Sequence, residues 1–480
     1  MGNKDIAKGM KTMKKIFKCA CCGNCCRWEG VVHVRENELP PIAHFLGISV
    51  EEFIDKYTRL SSDRKGLVYA DKPDGSCMFQ DENNLCTINP VKPLQCATFP
   101  YDWEIPEEHK GLCQGHWVEV ENEHRSEIGL VHVLGHPSLP LDIAGAPADA
   151  QLFNCRNFCQ MLSYLGIPFI YYGVPGSVVP EGGRFVSTGK PTGRWAYRNA
   201  WHRTYNARLN RLLKKNVVEM EKPQLIASLY GASQSGIEDF GLPVLEPMVG
   251  YDHCWAPYRV FPSYAQQNII YATQAEYTWN TRYFDAVIPH FVQAEEYFIH
   301  WHPENYLLYL GRNASDKGID LARQVAKEAG LELKMVHDGV WGREKALLLS
   351  RAKAVLMPTI YPEPFGYVAI EAQMCGTPVL TTDWGAFPET VINGKTGFRC
   401  RTAAEFAKAL ELVDGLDRLA IRKSAIERYS LEKIAPFFER YFLFVWNVHK
   451  NGGYYAMDAI GPCFPWQDEQ GPLNKENQNG

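Results

Sequence analysis

Residues 361–374 read YPEPFGYVAIEAQM, and this stretch decides how the second half of the chain is interpreted. Two glutamates, Glu363 and Glu371, are separated by seven residues. The segment 364–366 contains proline and glycine before a helix-like run, so it predicts a loop that opens a helix. A helix N-terminus carries partial positive charge and free N–H donors, which suits an anionic diphosphate. Glu371, about two turns into the helix, is then expected to accept hydrogen bonds from ribose hydroxyls, and Glu363 from a sugar hydroxyl.

Two cations precede this stretch at the same expected edge. The run NYLLYLGR (305–312) predicts a strand that ends at Arg312, and Lys317 opens the next helix. A guanidinium can bind a phosphate through two hydrogen bonds and an ammonium adds a point charge, so both side chains suit a diphosphate. From residue 305 to TPVLTTD (377–383), strand-like and helix-like runs alternate every 20–30 residues. This alternation predicts an α/β fold with a doubly wound parallel sheet.

A similar pattern occupies residues 128–300, where GLVHVLG (129–135) and IPFIYYG (167–173) predict further buried strands. Ligands of such sheets lie beyond the carboxyl ends of the strands, which makes Gly135 and His136 candidates for the site. The segment 244–271 is rich in Tyr, His, Trp and Pro, and either lines the acceptor side of a cleft or packs in the core. Its polar candidates for the reacting centre are His253 and Asp252.

Cysteines are concentrated at the start of the chain. Nine of the 15 cysteines lie within the first 113 residues, and Cys19, Cys22, Cys25 and Cys26 form a CxxCxxCC run. CxxC places two thiolates where one metal can bridge them, and thiolate-rich sites select zinc or iron–sulfur clusters. Cys21 departs from the spacing and is expected to be a spectator. The predicted metal ligands are Cys19, Cys22, Cys25, Cys26, Cys77, Cys86, Cys96 and Cys113.

Charge and hydropathy exclude some partners. The net charge of −5 argues against a mainly electrostatic nucleic-acid binder. Residues 1–18 lack the apolar stretch of a signal peptide and no run approaches 18 apolar residues, so we expect a cytoplasmic protein with reduced thiols. The lysine-rich residues 4–18 and the basic helix predicted over 197–216 are either solvated faces or peripheral contacts with an anionic membrane.

Four motifs of the second half resemble the family 4 nucleotide-sugar glycosyltransferases of the GT-B fold. They are GRNASDKG (311–318), EPFGYVAIE (363–371), CGTPVLTTDWGAFPE (375–389) and NGKTGF (393–398). The resemblance implies two Rossmann-like domains, retention of anomeric configuration, a UDP- or GDP-sugar donor and no cofactor for the transfer. The acceptor, whether saccharide, lipid or protein, stays open.

The resemblance also implies roles for individual residues. Arg312 and Lys317 would hold the diphosphate, Glu371 the ribose and Glu363 the transferred sugar. On the first-domain side the family often has a Gly-Gly loop, whereas residues 135–149 contain Gly135 but no glycine pair. The complete predicted site has the catalytic candidates Glu363, Lys317, Arg312 and His253, and the donor contacts Arg312, Lys317, Pro364, Phe365, Gly366, Tyr367, Glu371 and Gly135.

The first hundred residues resemble the CxxCxxCC family of zinc- or iron-chelating domains, through GSCMFQDENNLCTINPVKPLQCATFP (75–100). Two alternatives to a transferase stay open: a metal-binding regulatory or redox protein with a degenerate transferase half, and a protein-modifying enzyme that acts at the cysteine cluster. The predicted layout is a basic segment (1–18), a cysteine-cluster domain (19–127), an acceptor domain (128–300), a nucleotide-sugar-binding domain (301–429), a crossover helix (430–462) and a flexible tail (463–480).

Overall fold

The computed structural model describes residues 13–18, 22–27, 32–34, 38–62, 64, 66–88, 91–97, 115–121, 126–142, 150–190, 200–273, 284–300, 303–337 and 340–453. The predicted tail and part of the predicted basic segment therefore lie outside the described residues. The chain forms two compact units, one spanning residues 13–122 together with 300–302 and the other comprising the remainder. Among the residues that the structure describes, no helix has the length and apolar character needed to cross a membrane.

Within its described residues, the first unit contains two antiparallel pairs of strands and three short α-helices. Ser49 caps one helix, because its hydroxyl accepts a hydrogen bond from Glu52 N at 3.1 Å. A small apolar core includes Ile42, Phe53 and Phe79. The elements are β1 (Met13–Lys18), α1 (Leu39–Leu46), α2 (Val50–Tyr57), β2 (Thr58–Leu60), β3 (Leu67–Tyr69), α3 (Leu94–Ala97) and β4 (His116–Glu121), with β1 paired to β4 and β2 to β3.

A seven-stranded parallel sheet follows in the second unit. Its strands are β5 (Leu130–Leu134), β6 (Phe169–Gly173), β7 (Gly183–Ser187), β8 (Gln224–Ser228), β9 (Val244–Glu246), β10 (Tyr258–Phe261) and β11 (Ala286–Val287). Their spatial order is β11-β10-β9-β8-β5-β6-β7, which reproduces the 3-2-1-4-5-6 arrangement of a Rossmann sheet with one more strand at the edge. Helices α4 (Ala150–Tyr164), α5 (Ala200–Asn216) and α6 (Tyr264–Thr273) accompany it.

The aromatic segment 244–271 contains strands β9 and β10 and most of helix α6. Tyr258 and Phe261 are buried in β10, so core packing accounts for these two aromatic residues. Helix α5 presents the basic outer face that the sequence predicts, since Arg203, Arg211 and Lys215 are exposed. The first three residues of that predicted helix, 197–199, lie outside the described residues.

The second sheet has five parallel strands in the order β13-β12-β14-β15-β16. Its elements are β12 (Tyr306–Leu310), α7 (Ile319–Ala329), β13 (Glu332–Val336), α8 (Gly342–Arg351), β14 (Ala354–Met357), α9 (Tyr367–Met374), β15 (Val379–Thr382), α10 (Phe387–Thr390), β16 (Gly397–Cys400), α11 (Ala403–Leu412) and α12 (Arg418–Tyr429). This 2-1-3-4-5 order places the topological switch point between β12 and β14, where α/β sheets bind ligands. Two doubly wound parallel sheets confirm the predicted fold class.

The last helix, α13 (Leu431–Lys450), joins the two sheets. It starts directly after α12, and its apolar face, including Ile434, Phe438 and Phe442, is buried in the same core as β5, β6 and β8. The helix therefore ties the end of the second sheet domain to the core of the first.

Candidate active site

Three polar side chains meet at the switch point of the five-stranded sheet. Lys317 lies in a helical turn (Ser315–Lys317) after β12, and Tyr361 and Glu363 follow β14. Lys317 Nζ donates to Glu363 Oε2 at 2.8 Å and lies 2.6 Å from Tyr361 Oη, and Tyr361 Oη donates to the same carboxylate oxygen at 2.9 Å. The lysine and glutamate side chains are 18% and 13% exposed, so the ion pair lies in a crevice and is only partly desolvated. The structure therefore brings together two residues that the sequence predicted to share a site.

The position of Lys317 depends on the glycine that follows it. Gly318 has φ +70°, and a Cβ added there would lie 1.8 Å from Pro358 O. Ile360 N donates to Asp316 O at 2.8 Å, which closes the contact between the two loops. Only glycine permits so close an approach, and that approach brings the Lys317 side chain to the carboxyl end of β14.

The backbone of Glu363 is also held by a close contact with a glycine, Gly385. Ala386 N donates to Glu363 O at 2.9 Å. Gly385 has φ +60°, and a Cβ there would lie 2.5 Å from Glu363 N and 2.9 Å from Glu363 O. The loop after β15 therefore fixes the backbone of Glu363 through a contact that tolerates no side chain.

Gly385→Ala is expected to displace Glu363 and to lower the activity of this site at least about tenfold, because a misplaced reacting group costs rate steeply. Gly394→Ala is the matched control, since Gly394 has φ +73° but no atom within 4 Å of an added Cβ. Both variants carry the backbone strain of a left-handed residue, and only the first carries the clash. The measurements are the initial rate of catalysis at this site and the melting temperature of each variant. Equal rates for the two variants would show that the Gly385 contact does not position Glu363.

The predicted donor loop is held by the first sheet domain. Ser263 Oγ donates to Pro364 O at 2.7 Å, and Tyr367 Oη donates to Asn154 Oδ1 on α4 at 2.8 Å. Gly366, with φ +85°, precedes the first residue of α9, and Phe365 is buried beneath the loop. The N-terminus of α9 is thus rigidly placed at the crevice between the two sheet domains.

Two further contacts connect the two sheet domains beside this crevice. The carboxylate of Glu389 accepts hydrogen bonds from the backbone N–H groups of Tyr264 and Ala265, both at 2.9 Å, at the start of α6. His290 stacks on Tyr367 with a centroid distance of 5.1 Å and an interplanar angle of 3°. Burial lowers the pKa of His290 to about 3, so the imidazole is neutral and acts as a packing surface.

Glu371 is more deeply buried than the sequence suggested. Its carboxylate is 1% exposed, lies 2.6 Å from Lys345 Nζ on α8 and accepts a hydrogen bond from Tyr297 Oη at 3.0 Å. Lys345 also lies 4.9 Å from the centroid of the Trp341 ring. Sequence reasoning missed Lys345, because this lysine directly follows Arg343 and Glu344 at the start of α8 and no local pattern marks it as buried.

Arg312 lies at the rim of the site and does not join the Lys317 triangle. Its side chain is 67% exposed, and its Nη2 donates to Asp316 Oδ2 at 3.2 Å. The guanidinium is therefore in solvent beside the crevice, available to an anion that enters there.

Gly135 and His136 lie at the carboxyl end of β5. A Cβ at Gly135 would lie 2.2 Å from the Tyr171 ring, so close packing explains this glycine. Its carbonyl accepts hydrogen bonds from Tyr205 Oη and Gln234 Nε2. His136 Nδ1 accepts from the backbone N–H groups two and three residues later, which shapes the loop.

His253 lies on an exposed turn between β9 and β10. It has φ +65°, which side-chain-bearing residues rarely adopt, and Asp252 beside it is also exposed. Glu246 holds this turn, because one carboxylate oxygen accepts from Trp255 N and Ala256 N. Burial raises the pKa of Glu246 to about 7. Among the described residues, His253 forms no hydrogen bond or ion pair with Lys317 or Glu363, so the structure does not bring this candidate into the triangle.

The cysteine unit brings together thiols from three separate segments. Cys77 N donates to Cys26 O at 2.8 Å, which joins the Asn24–Cys26 turn to the segment that contains Cys77 and Cys86. Burial raises the pKa of Cys96 to about 12, and the nearby thiols of Cys77, Cys86 and Cys25 raise it further. A hydrogen bond from Cys26 lowers the pKa of Cys25 to about 7.

The chemistry of these side chains, though not their arrangement in the structure, suits a soft metal, because zinc and iron–sulfur clusters take thiolate ligands. Within the described residues, no three His, Cys, Asp or Glu side chains are arranged to hold a metal ion. The predicted ligands Cys19 and Cys113, and the predicted spectator Cys21, lie outside the described residues.

Two family models match separate parts of the chain. Residues 323–413 match the model described as “Glycosyl transferases group 1”, and residues 18–118 match the “Putative zinc- or iron-chelating domain” named CxxCxxCC. The C-terminal part thus carries a glycosyl transferases group 1 domain and the N-terminal part a CxxCxxCC domain.

Curated relatives match over a short stretch. A glycogen synthase of Mycobacterium tuberculosis (strain H37Rv) is 42% identical over 90 residues, which is 18% of this chain and 22% of that protein. A D-inositol 3-phosphate glycosyltransferase of Arthrobacter sp. (strain FB24) is 36% identical over 104 residues, 21% of this chain and 24% of the relative. The match therefore spans about a quarter or less of the length of these relatives.

A solved glycosyltransferase structure is similar in fold to this chain. The crystal structure of a glycosyltransferase involved in avilamycin A biosynthesis aligns with a TM-score of 0.50 at 19% identity, covering 65% of this chain and 96% of that one. This likeness supports the predicted GT-B fold class.

Proposed function

We propose that this chain, through its glycosyl transferases group 1 domain, transfers a sugar from a nucleotide-sugar donor to an acceptor hydroxyl with retention of configuration. The observation that carries the proposal is the Lys317–Tyr361–Glu363 triangle at the switch point of the five-stranded sheet. The similarity to a glycogen synthase and to a D-inositol 3-phosphate glycosyltransferase supports sugar transfer as the reaction class.

In this proposal the diphosphate of a UDP- or GDP-sugar binds against the N-terminus of α9. Lys317 and Arg312 supply positive charge, and the N–H groups at the helix start add hydrogen bonds. Glu363 accepts a hydroxyl of the transferred sugar. The ribose hydroxyls share the Glu371 carboxylate with Lys345, which already lies 2.6 Å from it.

In the transfer step, the acceptor oxygen forms a bond to the anomeric carbon. The bond from that carbon to the diphosphate oxygen breaks, and its electron pair stays on the diphosphate. The proton of the acceptor hydroxyl passes to the departing phosphate oxygen. Lys317 and the α9 N-terminus stabilise the charge that develops there, which is electrostatic catalysis in a preorganised site.

The first sheet domain supplies the acceptor side in this proposal. Contacts such as Tyr367 Oη to Asn154 Oδ1 keep the two domains closed around the donor loop. Closure excludes water and aligns the acceptor hydroxyl with the donor. His253, which the structure places on a separate exposed turn, is proposed only as an acceptor contact.

The cysteine domain is proposed to bind zinc or an iron–sulfur cluster through Cys22, Cys25, Cys26, Cys77, Cys86 and Cys96, together with the predicted ligands Cys19 and Cys113 outside the described residues. A bound metal would hold these segments together and supply folding free energy, because ligation is coupled to folding. Metal analysis of the purified chain identifies the element, and its absorbance separates iron–sulfur from zinc.

A thermal-shift panel of UDP, GDP and ADP with the full chain tests the proposed function. A nucleotide at 100 times its Kd is expected to stabilise the chain by roughly 2.7 kcal/mol. The same nucleotide should give no shift with Lys317→Gln. If no nucleoside diphosphate stabilises the native chain, the transferase proposal fails, and a metal-binding protein with a degenerate transferase half becomes the better interpretation.

A further inference from the structure

Tyr361 lies between the two charged side chains of the candidate active site. Its Oη accepts a hydrogen bond from Lys317 Nζ at 2.6 Å and donates one to Glu363 Oε2 at 2.9 Å. Burial and the neighbouring Glu363 carboxylate raise the pKa of Tyr361, so the hydroxyl keeps its proton and remains a donor to that carboxylate. The hydrogen bonds therefore run in one direction, from the ammonium through the hydroxyl to the carboxylate.

This arrangement leaves one oxygen of the Glu363 carboxylate open. Oε2 accepts hydrogen bonds from both Tyr361 and Lys317, whereas Oε1 accepts none from the part of the chain that the structure describes. The Glu363 side chain is 13% exposed, so a molecule in the crevice can reach it. An ionised carboxylate accepts through both of its oxygens, and Oε1 is thus available for a hydroxyl of a ligand.

The lysine by itself does not decide which carboxylate oxygen stays open. An ammonium is a point charge with three rotatable donors on a flexible stem, so either oxygen of Glu363 can satisfy Lys317. The Tyr361 hydroxyl occupies a fixed place on a rigid ring, and a hydrogen bond to a charged group is roughly twice as strong as one between neutral groups. Tyr361 is therefore the partner that selects Oε2 and leaves Oε1 for the ligand.

The backbone on both sides of Tyr361 is held by contacts that do not involve its side chain. Ile360 N donates to Asp316 O at 2.8 Å, and Ala386 N donates to Glu363 O at 2.9 Å. Removal of the Tyr361 hydroxyl should therefore leave the loop after β14 in place. The substitution Tyr361→Phe then changes the carboxylate contact alone.

We propose that Tyr361 is a positioning residue for sugar transfer, whose hydroxyl orients the Glu363 carboxylate so that Oε1 accepts a hydroxyl of the transferred sugar. The inference rests on the proposed function and deepens it, because it assigns Tyr361 to recognition of the sugar rather than of the nucleotide. A carboxylate that is held in place before the donor binds has less freedom to lose in the transition state, which lowers the barrier to transfer.

Tyr361→Phe is expected to lower kcat roughly 10- to 100-fold, the cost of one hydrogen bond to a charged group. The Kd for the nucleoside diphosphate should stay within about twofold of the native value, because Lys317 keeps its ion pair with Glu363 and its place 4.7 Å from the centroid of the ring. Steady-state kinetics of the full chain, with the donor identified by thermal shift, give kcat and KM. Titration calorimetry with the corresponding nucleoside diphosphate gives the Kd.

Tyr306→Phe is the matched control. Tyr306 Oη donates to Leu348 O at 2.6 Å, and Lys334 Nζ lies 3.6 Å from the centroid of its ring. The control thus also removes a tyrosine hydroxyl beside a lysine, but Tyr306 is the first residue of β12, at the end of the strand opposite the candidate site. We expect it to change the melting temperature and to leave kcat at the native value.

The outcomes separate this role from the proposed function. If Tyr361→Phe keeps the native kcat, or loses no more of it than Tyr306→Phe, Tyr361 does not position Glu363, and sugar transfer by the native chain leaves the proposed function intact. An increase of about tenfold or more in the Kd for the nucleoside diphosphate, with kcat unchanged, would assign Tyr361 to the diphosphate and also overturn the proposal. A native chain that binds no nucleoside diphosphate and transfers no sugar would refute the proposed function and this role together.

Discussion

Replacing Glu363 by glutamine is expected to lower the rate of sugar transfer by roughly 100- to 1,000-fold, the usual cost of removing one preorganised electrostatic contact. In the structure Glu363 Oε2 accepts hydrogen bonds from both Lys317 and Tyr361. Glutamine preserves the size of the side chain but removes its charge, so the Lys317 ammonium loses its ion-pair partner and the sugar hydroxyl its strongest acceptor. The measurement is the initial rate with the donor identified by thermal shift.

Glu411→Gln is the control for this substitution. Glu411 also pairs with a lysine, Lys408, but both side chains are about two-thirds exposed, at 66% and 69%. An exposed pair of this kind contributes little, so transfer and stability should match those of the native chain. Native rates for Glu363→Gln, with the control also native, would rule out Glu363 as a sugar-binding group.

Replacing Lys345 by methionine is expected to reduce the free energy of unfolding by about 3–5 kcal/mol, because removal of one partner leaves an uncompensated buried charge. Lys345 and Glu371 are 7% and 1% exposed, and the ammonium lies 2.6 Å from the carboxylate. Tyr297 supplies one hydrogen bond to Glu371, which does not replace a full positive charge. Denaturant unfolding of the full chain measures the change.

A second substitution tests whether the buried charge causes the loss of stability. Lys345→Met combined with Glu371→Gln should recover most of the lost stability, because no charge is then buried and the Tyr297 hydrogen bond can be kept. Lys423→Met is the control, since Lys423 and Glu427 are 74% and 58% exposed and 4.0 Å apart. If Lys345→Met costs as little as Lys423→Met, the Lys345–Glu371 pair is solvated in solution.

The double variant also tests whether Glu371 contributes to nucleotide binding. If Glu371 contacts the ribose, the double variant should be stable yet bind the nucleotide more weakly than the native chain. Stability and nucleotide affinity would then be separated, because the first depends on the absence of buried charge and the second on the presence of an acceptor.

Sequence alone was sufficient to anticipate the convergence of Lys317 and Glu363. Each follows a predicted strand, and the carboxyl ends of neighbouring parallel strands meet at one edge of a sheet. The same rule correctly placed Gly135 and His136 at the edge of the first sheet. His253 was named as a polar residue of the aromatic segment 244–271 and not by this rule, and the turn that presents it is held by the Glu246 carboxylate.

Other parts of the site depend on contacts that sequence spacing does not reveal. Tyr361 was not anticipated because it matters only through its bonds with Lys317 and Glu363. Asn154 contacts Tyr367 across 213 positions of the chain. Such pairs arise when separate elements pack, and no local pattern encodes them.

The alternation of strands and helices and the glycine-containing turns could be predicted without a structure, because they follow from local periodicity and backbone sterics. The burial of Glu371 against Lys345 and the exposure of Arg312 to solvent could be seen only in the folded protein. The same holds for the hydrogen bonds through which Tyr361 joins Lys317 to Glu363. Burial and pairing depend on which surfaces pack together, so they are properties of the assembled fold rather than of any single stretch of residues.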